Sequence, residues 1–320
     1  MLTREEAKQR FQGVCVPIAT IYKDDGSLDL DSLASNVQWM IDQGARQGNT
    51  IFLAAGSGGD FTVLSTDERK QVISTVAEVS AGRIPTIAGV QSTDVRVTIE
   101  ICQHAEKVGV DLVQISGAFY YDPKPDDVVA WHHEVARNTG IGFAAYSHWY
   151  SGSKYDVPVT LIEQLLDEIP NTLAVKWASP VVENYYRGMM SFVPKAAVVD
   201  NSSLNLLGHV LGCRAFISHV PNFYPQLPWR VFDLFQEGRY PEARKVYDDF
   251  MVPYGGLLGQ IAAATAGEGI FVKPWMEASG LRGGRSRLPS RDEAVTPEIR
   301  EGICKLLEES KAQAEVAAAD

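Results

Sequence analysis

Lys176 is the residue whose setting most suggests chemistry. It lies inside the apolar run Leu173–Trp177, reading LAVKW. Burial disfavours the charged form of an amine and lowers its pKa, and a neutral amine attacks a ketone to form an imine. The same side chain could instead snorkel to the rim of the fold or pair with a carboxylate. Lys195 and Lys273 are weaker rivals by position, the first preceding an apolar run and the second lying in the C-terminal tail. Tyr146 closes the preceding apolar run, GFAAY. A phenol beside an imine can pass protons among carbinolamine, enamine and leaving group; it could equally be an aromatic packing on its neighbour.

Two loops add polar possibilities. Gly56-Ser57-Gly58-Gly59-Asp60 follows an apolar run and precedes a helical pattern. Glycines let backbone N–H groups approach an anion, and a helix N-terminus favours negative charge. A carboxylate fits such a nest as well as a phosphate does. The loop is neither a P-loop, since no GK[ST] follows, nor a GxGxxG turn. Tyr120-Tyr121-Asp-Pro-Lys-Pro125 could wall a pocket or a subunit contact, or be surface turn chemistry. His132 and His133 are helix neighbours that point apart, so they make poor joint metal ligands. His148 and His219 can reach the mouth of a barrel, whereas His209 lies within a helix. No GxSxG elbow is present, which disfavours a Ser–His–Asp hydrolase.

Something must hold these residues together. Short apolar runs alternate with helical periodicity, the pattern of repeated βα units around a parallel sheet. The expected strands are Val14–Ile18, Thr50–Ala55, Thr86–Val90, Leu112–Ile115, Gly142–Tyr146, Leu173–Trp177, Ala197–Val199 and Ala215–Ser218. Eight runs favour a closed α/β barrel, a (β/α)8 TIM barrel, over an open sheet. Leu30–Gln43 sets Leu33, Val37, Met40 and Ile41 on one helical face. Ser65-Thr-Asp-Glu68 fits a capping box opening a helix through Val79. Asp126–Arg137, Pro158–Glu168 and Ser202–Val210 read as helices too. The barrel is assigned to residues 1–230, and a helical extension packed on it to residues 231–320. Within that extension Tyr240–Phe250 and Pro297–Val316 are expected helices, Gly280–Asp292 an exposed loop, and the final AEVAAAD a frayed end.

Composition narrows the class. The chain has 320 residues, 45% hydrophobic and 22% charged, enough for a sizeable core. A net charge of −11 argues against non-specific binding to nucleic acid or an anionic membrane. Cys15, Cys102, Cys213 and Cys304 form no CxxC pair and read as buried thiols of a reducing compartment. The start, MLTREEAKQRF, has no apolar core region, and no run of about 18 apolar residues occurs, so a soluble cytoplasmic protein is expected.

In order along the chain, these segments resemble the dihydrodipicolinate synthase / N-acetylneuraminate lyase family. GVCVPIATIYKDDGSLDLDSL is similar to the family's first strand and acidic turn. GSGGDFTVLSTDER resembles its GTTGE loop, YYDPKP its YYNKP segment, and VKWAS its lysine-bearing sixth strand. The resemblance implies a Schiff-base lyase or aldolase. Lys176 would bind pyruvate or a substituted 2-oxo acid, with no cofactor beyond that covalent imine. It implies Tyr146 as proton relay with help from Ser57, and the backbone N–H groups of Ser57 and Gly58 as holders of the carboxylate. Tyr121 matches a tyrosine reaching across subunits, with Tyr120 as the alternative, and a homotetramer built as a dimer of dimers is implied. His148, Asn201 and Ser218 are assigned to substrate contact.

Departures shape the substrate expectation. Gly58 stands where the family has a second threonine, and Asp60 where it has glutamate. Ser151 falls near the position of the synthase's arginine, so lysine biosynthesis is disfavoured unless Lys154 substitutes. Asp200-Asn-Ser-Ser203 does not match the acidic residues with which sialate lyases bind sugar hydroxyls. The aromatic stretch YSHWYSGSKYDVP resembles hydratase-aldolases of arylidene-pyruvates. The leading expectation is cleavage of a substituted 2-oxo acid to pyruvate and an aldehyde. The alternatives are condensation of the synthase kind, dehydration of a sugar-derived 2-oxo acid, and a retired barrel acting as a binding protein.

Overall fold

The computed structural model describes residues 2–120, 122–147 and 156–319. Eight parallel strands close on themselves in chain order: β1 (Gly13–Pro17), β2 (Thr50–Ala54), β3 (Thr86–Gly89), β4 (Leu112–Ile115), β5 (Gly142–Tyr146), β6 (Thr172–Trp177), β7 (Ala197–Asp200) and β8 (Ala215–Ile217). Gly13 pairs with Ala215, so β8 returns to β1 and no sheet edge is left open. This is the expected TIM barrel, and each apolar run became a strand to within about two residues, the usual uncertainty of such boundaries.

Helices α1 (Arg4–Arg10), α2 (Leu30–Asp42), α3 (Thr66–Ser80), α4 (Val95–Lys107), α5 (Pro125–Arg137), α6 (Val159–Glu168), α7 (Val182–Phe192), α8 (Asn205–Val210) and α9 (Gln226–Gln236) accompany the strands. The expected capping box opens α3. Glu68 N donates to Ser65 Oγ at 3.2 Å, and Ser65 N donates to Glu68 Oε2 at 2.9 Å. Strand alternation divides the apolar residues into two bodies. Val14, Phe52, Phe143, Val175 and Trp177 face the helices. Cys15, Ile51, Leu53, Ala144, Ala174 and Val199 face inward with Ala7 of α1 and Phe11, which caps that helix. That first helix therefore plugs the N-terminal end of the barrel, where burying Phe11 contributes about 1.5–3 kcal/mol.

Gly188 shows how closely the outer ring packs. A Cβ there would lie 2.5 Å from Trp177 Cε2, so only glycine lets α7 approach β6. Residue 230 falls inside α9, which packs against β1.

The tail differs from expectation in three respects. The helix expected to end at Phe250 runs on as α10 (Tyr240–Ala264), through Pro253 and three glycines. Its buried Phe250, Tyr254 and Ile261 hold it against α9 and α12 (Pro297–Ala319), and tertiary packing overrides weak local propensity. The loop expected to be exposed is anchored instead. Gly283 and Ser290 are buried, and Arg287 pairs with Glu68 while lying 4.4 Å over the Tyr22 ring. Finally, α12 keeps helical backbone through Ala319, where fraying was expected. Cys15, Cys102 and Cys213 are buried free thiols, but Cys304 is exposed. No helix among the described residues is long and apolar enough to cross a membrane.

Candidate active site

Parallel barrels carry their chemistry at the C-terminal ends of the strands. On β6, Ala174 and Lys176 point inward while Val175 and Trp177 point outward. On β5 the same alternation turns Ala144 and Tyr146 inward, and register pairs Tyr146 with Lys176. The Lys176 Nζ lies 4.4 Å from the Tyr146 ring centroid, with the two residues only 7% and 5% exposed. No hydrogen bond or ion pair fixes Lys176 Nζ among the described residues. Burial lowers its pKa to about 8, opposed by Cys15 and Glu268. Cys15 is itself pushed up to about 12 by burial and is a neutral thiol at ordinary pH, so it makes a floor rather than a counter-ion. The result is an amine that gives up its proton far more readily than an ordinary lysine, with about a tenth of it free at pH 7 and half of it free near pH 8, and the free form is what attacks a ketone.

The loop after β2 forms the opposite wall. Ser57–Gly59 is one 3-10 turn, with Gly59 N bonded to Gly56 O at 3.0 Å and Asp60 N to Ser57 O at 3.0 Å. The first donors of a helical turn have no internal partner, so the N–H groups of Ser57 and Gly58 are the ones available to an anion. Thr20 Oγ1 donates to Gly59 O at 2.7 Å and pins the turn. Asp60 then takes a left-handed conformation, φ 59°, and turns its carboxylate away into the protein.

That carboxylate is where the tail is fastened. Lys273, which opens α11 (Lys273–Ala278), sets its Nζ 3.6 Å from Asp60 Oδ2 and donates to Arg285 O at 2.6 Å. Gly269 N–H also binds Asp60, and a Cβ on Gly269 would overlap the carboxylate. Burial pushes the Asp60 carboxyl up and the Lys273 amine down, and their mutual attraction opposes both shifts. The neighbouring residue, Glu268, is thereby held where its charge reaches Lys176, with burial raising its own pKa.

Glu268 had escaped the sequence reading. The only signal for it is an acid flanked by Gly267 and Gly269 in an otherwise apolar stretch.

His219 follows β8 at the mouth, within electrostatic reach of Lys176. Burial and that neighbouring charge push its imidazole down to about 4, so it is neutral. Ser218 N donates to Cys15 O at 3.0 Å, and its hydroxyl accepts from Val220 N at 3.3 Å, capping the turn. Asn201 N donates to Trp177 O at 2.8 Å, which sets Asn201 on the rim just above Lys176. Asp200 points outward, accepting from Tyr185 Oη at 2.6 Å and from Ser202 N at 2.9 Å. Tyr120 is 80% exposed. Tyr121, His148 and the loop positions Ser151 and Lys154 lie outside the described residues. His132 is buried with Nδ1 donating to Val128 O at 2.8 Å, while His133 faces Glu168, so the pair does diverge.

The model of the dihydrodipicolinate synthetase family matches residues 10–309. The chain belongs to that family. A 4-hydroxy-tetrahydrodipicolinate synthase of Rhizobium meliloti (strain 1021) is 27% identical over 242 residues, 75% of this chain and 81% of the relative. An N-acetylneuraminate lyase of the same organism is 26% identical over 303 residues, 93% of this chain and 96% of the relative. The crystal structure of dihydrodipicolinate synthase from Oceanobacillus iheyensis superposes with a TM-score of 0.84 at 20% identity, covering 97% of this chain and 99% of that one. Family membership supports a lyase of the aldolase type.

Proposed function

We propose that the protein is a Schiff-base lyase that cleaves a substituted 2-oxo acid to pyruvate and an aldehyde. The observation that carries this reading is the buried Lys176 amine, unpaired by any carboxylate among the described residues and lying against the Tyr146 ring at the barrel mouth. Lys176 Nζ adds to the ketone carbon and, after loss of water, holds it as a protonated imine. The bond between C3 and C4 then breaks, its electron pair flowing into the imine to give an enamine while the C4 hydroxyl becomes the aldehyde. Tyr146 moves the protons, with help from the Ser57 hydroxyl, and protonation of the enamine followed by hydrolysis releases pyruvate. The N–H groups of Ser57 and Gly58 hold the carboxylate. The imine is itself the electron sink, so the reading calls for no separate cofactor.

Glu268 favours a second reading on the same imine. A carboxyl whose pKa is raised by burial can donate a proton to a departing hydroxyl, which would give dehydration. Two measurements test both. Borohydride added with pyruvate leaves a reduced pyruvyl mass adduct, which peptide mapping should place on Lys176. No adduct, while a family aldolase labels in parallel, would sink the imine reading. With a substrate in hand, release of an aldehyde marks cleavage and its absence marks dehydration.

A further inference from the structure

We propose that His219 is a substrate-binding residue, whose imidazole occupies the space of a side chain at position 58 and donates a hydrogen bond to the carboxylate of the 2-oxo acid. The proposal rests on the imine reading above and assigns the group that selects a 2-oxo acid over a plain ketone.

Position 58 is the first observation. A Cβ built on Gly58 would overlap His219 Cε1, lie 2.9 Å from Nδ1 and lie 3.1 Å from Pro17 Cβ. Gly58 does not have the left-handed backbone that would itself demand glycine. What forbids a side chain there is the imidazole, so the ring stands where a residue 58 side chain would reach the anion-binding turn.

The second observation is the ring nitrogen. His219 Nδ1 is buried and has no hydrogen-bond partner among the described residues. Buried polar atoms are nearly always paired, and leaving one unpaired is costly. Here the missing partner would lie beside the free N–H groups of Ser57 and Gly58, on the side of the mouth that Lys176 shares. Fold topology explains the meeting. The strand β8 neighbours β1, which neighbours β2, so the turns after β8 and β2 converge across the end of β1 at Pro17. A carboxylate placed there receives three donors, two from the backbone and one from the ring. A neutral imidazole supplies its N–H without adding a second positive charge beside the Lys176 amine, which has to stay unprotonated to react.

The test is the concentration of ketone that half-saturates the borohydride-trapped adduct on Lys176, read by intact mass. Pyruvate and hydroxyacetone, a ketone without a carboxylate, are compared in the native protein, in His219→Phe and in His219→Asn. If His219 holds the carboxylate, His219→Phe raises the half-saturating pyruvate concentration roughly 10- to 100-fold, the scale of a hydrogen bond to a charged group. Hydroxyacetone should be unchanged. A double variant, Gly58→Ser with His219→Ala, puts a hydroxyl into the vacated space and should recover most of the loss. Equal weakening of both ketones would mean that His219 acts through Lys176, and it overturns the proposal; so does no change for either. Should His219→Phe fail to fold by circular dichroism, His219→Asn and the double variant decide the same comparison. Failure of the native protein to trap pyruvate on Lys176 is a separate result, one that removes the imine reading and this role with it.

Discussion

Two buried lysines lie 4.4 Å from the face of a tyrosine, Lys176 over Tyr146 and Lys273 over Tyr22. Their exposures are 7% and 3%, so burial alone does not distinguish them. Their partners do. Lys273 has a carboxylate at 3.6 Å and a carbonyl at 2.6 Å, and it ties the tail to the loop after β2. Lys176 has neither among the described residues, and its pKa falls to about 8. A buried amine with its charge satisfied is a fastener; the same amine left unsatisfied at a barrel mouth is easily deprotonated, which is the property the proposed imine chemistry needs.

Replacing each lysine by methionine separates these roles most sharply. Lys176→Met should lower lyase turnover by about 10^4-fold or more, the scale on which loss of a covalent nucleophile acts, with no trapped adduct. Its urea unfolding midpoint should stay or rise, because a buried unpaired amine is replaced by an apolar chain of similar length. Appreciable turnover in that variant would end the distinction.

Lys273→Met should do the reverse. Leaving Asp60 buried without its partner costs about 3–5 kcal/mol in denaturant unfolding. Adding Asp60→Asn should restore part of that loss, since the orphaned charge goes with it. A stable Lys273→Met protein that can no longer trap pyruvate would instead place Lys273 in the chemistry.

The gentlest probe is pH. Only the free amine attacks, so adduct formation should fall about tenfold per unit below about pH 8 and level off above it. Stability carries the matching sign. An amine depressed in the folded state holds its proton more weakly than in the unfolded chain. Between about 8 and the ordinary value of 10.5 the unfolded state therefore binds more protons, and stability rises with pH. Unfolding free energies measured across that window should lose this slope in Lys176→Met; an unchanged slope would mean another group produces it.

Much of the barrel was legible because its signal is local. Period-two alternation in β5 and β6 turns Tyr146 and Lys176 to the same interior, and the Ser65/Glu68 box opens α3 through contacts only three residues apart. The long α10 was not legible, since Pro253 and its glycines speak against a helix and only packing on α9 and α12 sustains it. The site divides similarly. Lys176, Tyr146 and the Ser57–Gly58 turn could be picked from residue type and strand position. Glu268 could not, because nothing near it in sequence says that Gly269 will dock on Asp60.

The sequence by itself determined the eight-stranded barrel, the inward set of Lys176 and the family to which the chain belongs. These depend on spacing and alternation, which a chain carries along its own length. Tertiary structure alone decided that Lys273 would be paired and Lys176 left unpaired among the described residues, that Glu268 would come within electrostatic reach of Lys176, and that the His219 ring would stand against Gly58. Each of those outcomes depends on which distant groups share a buried space, and a low-polarity interior makes every such neighbour count.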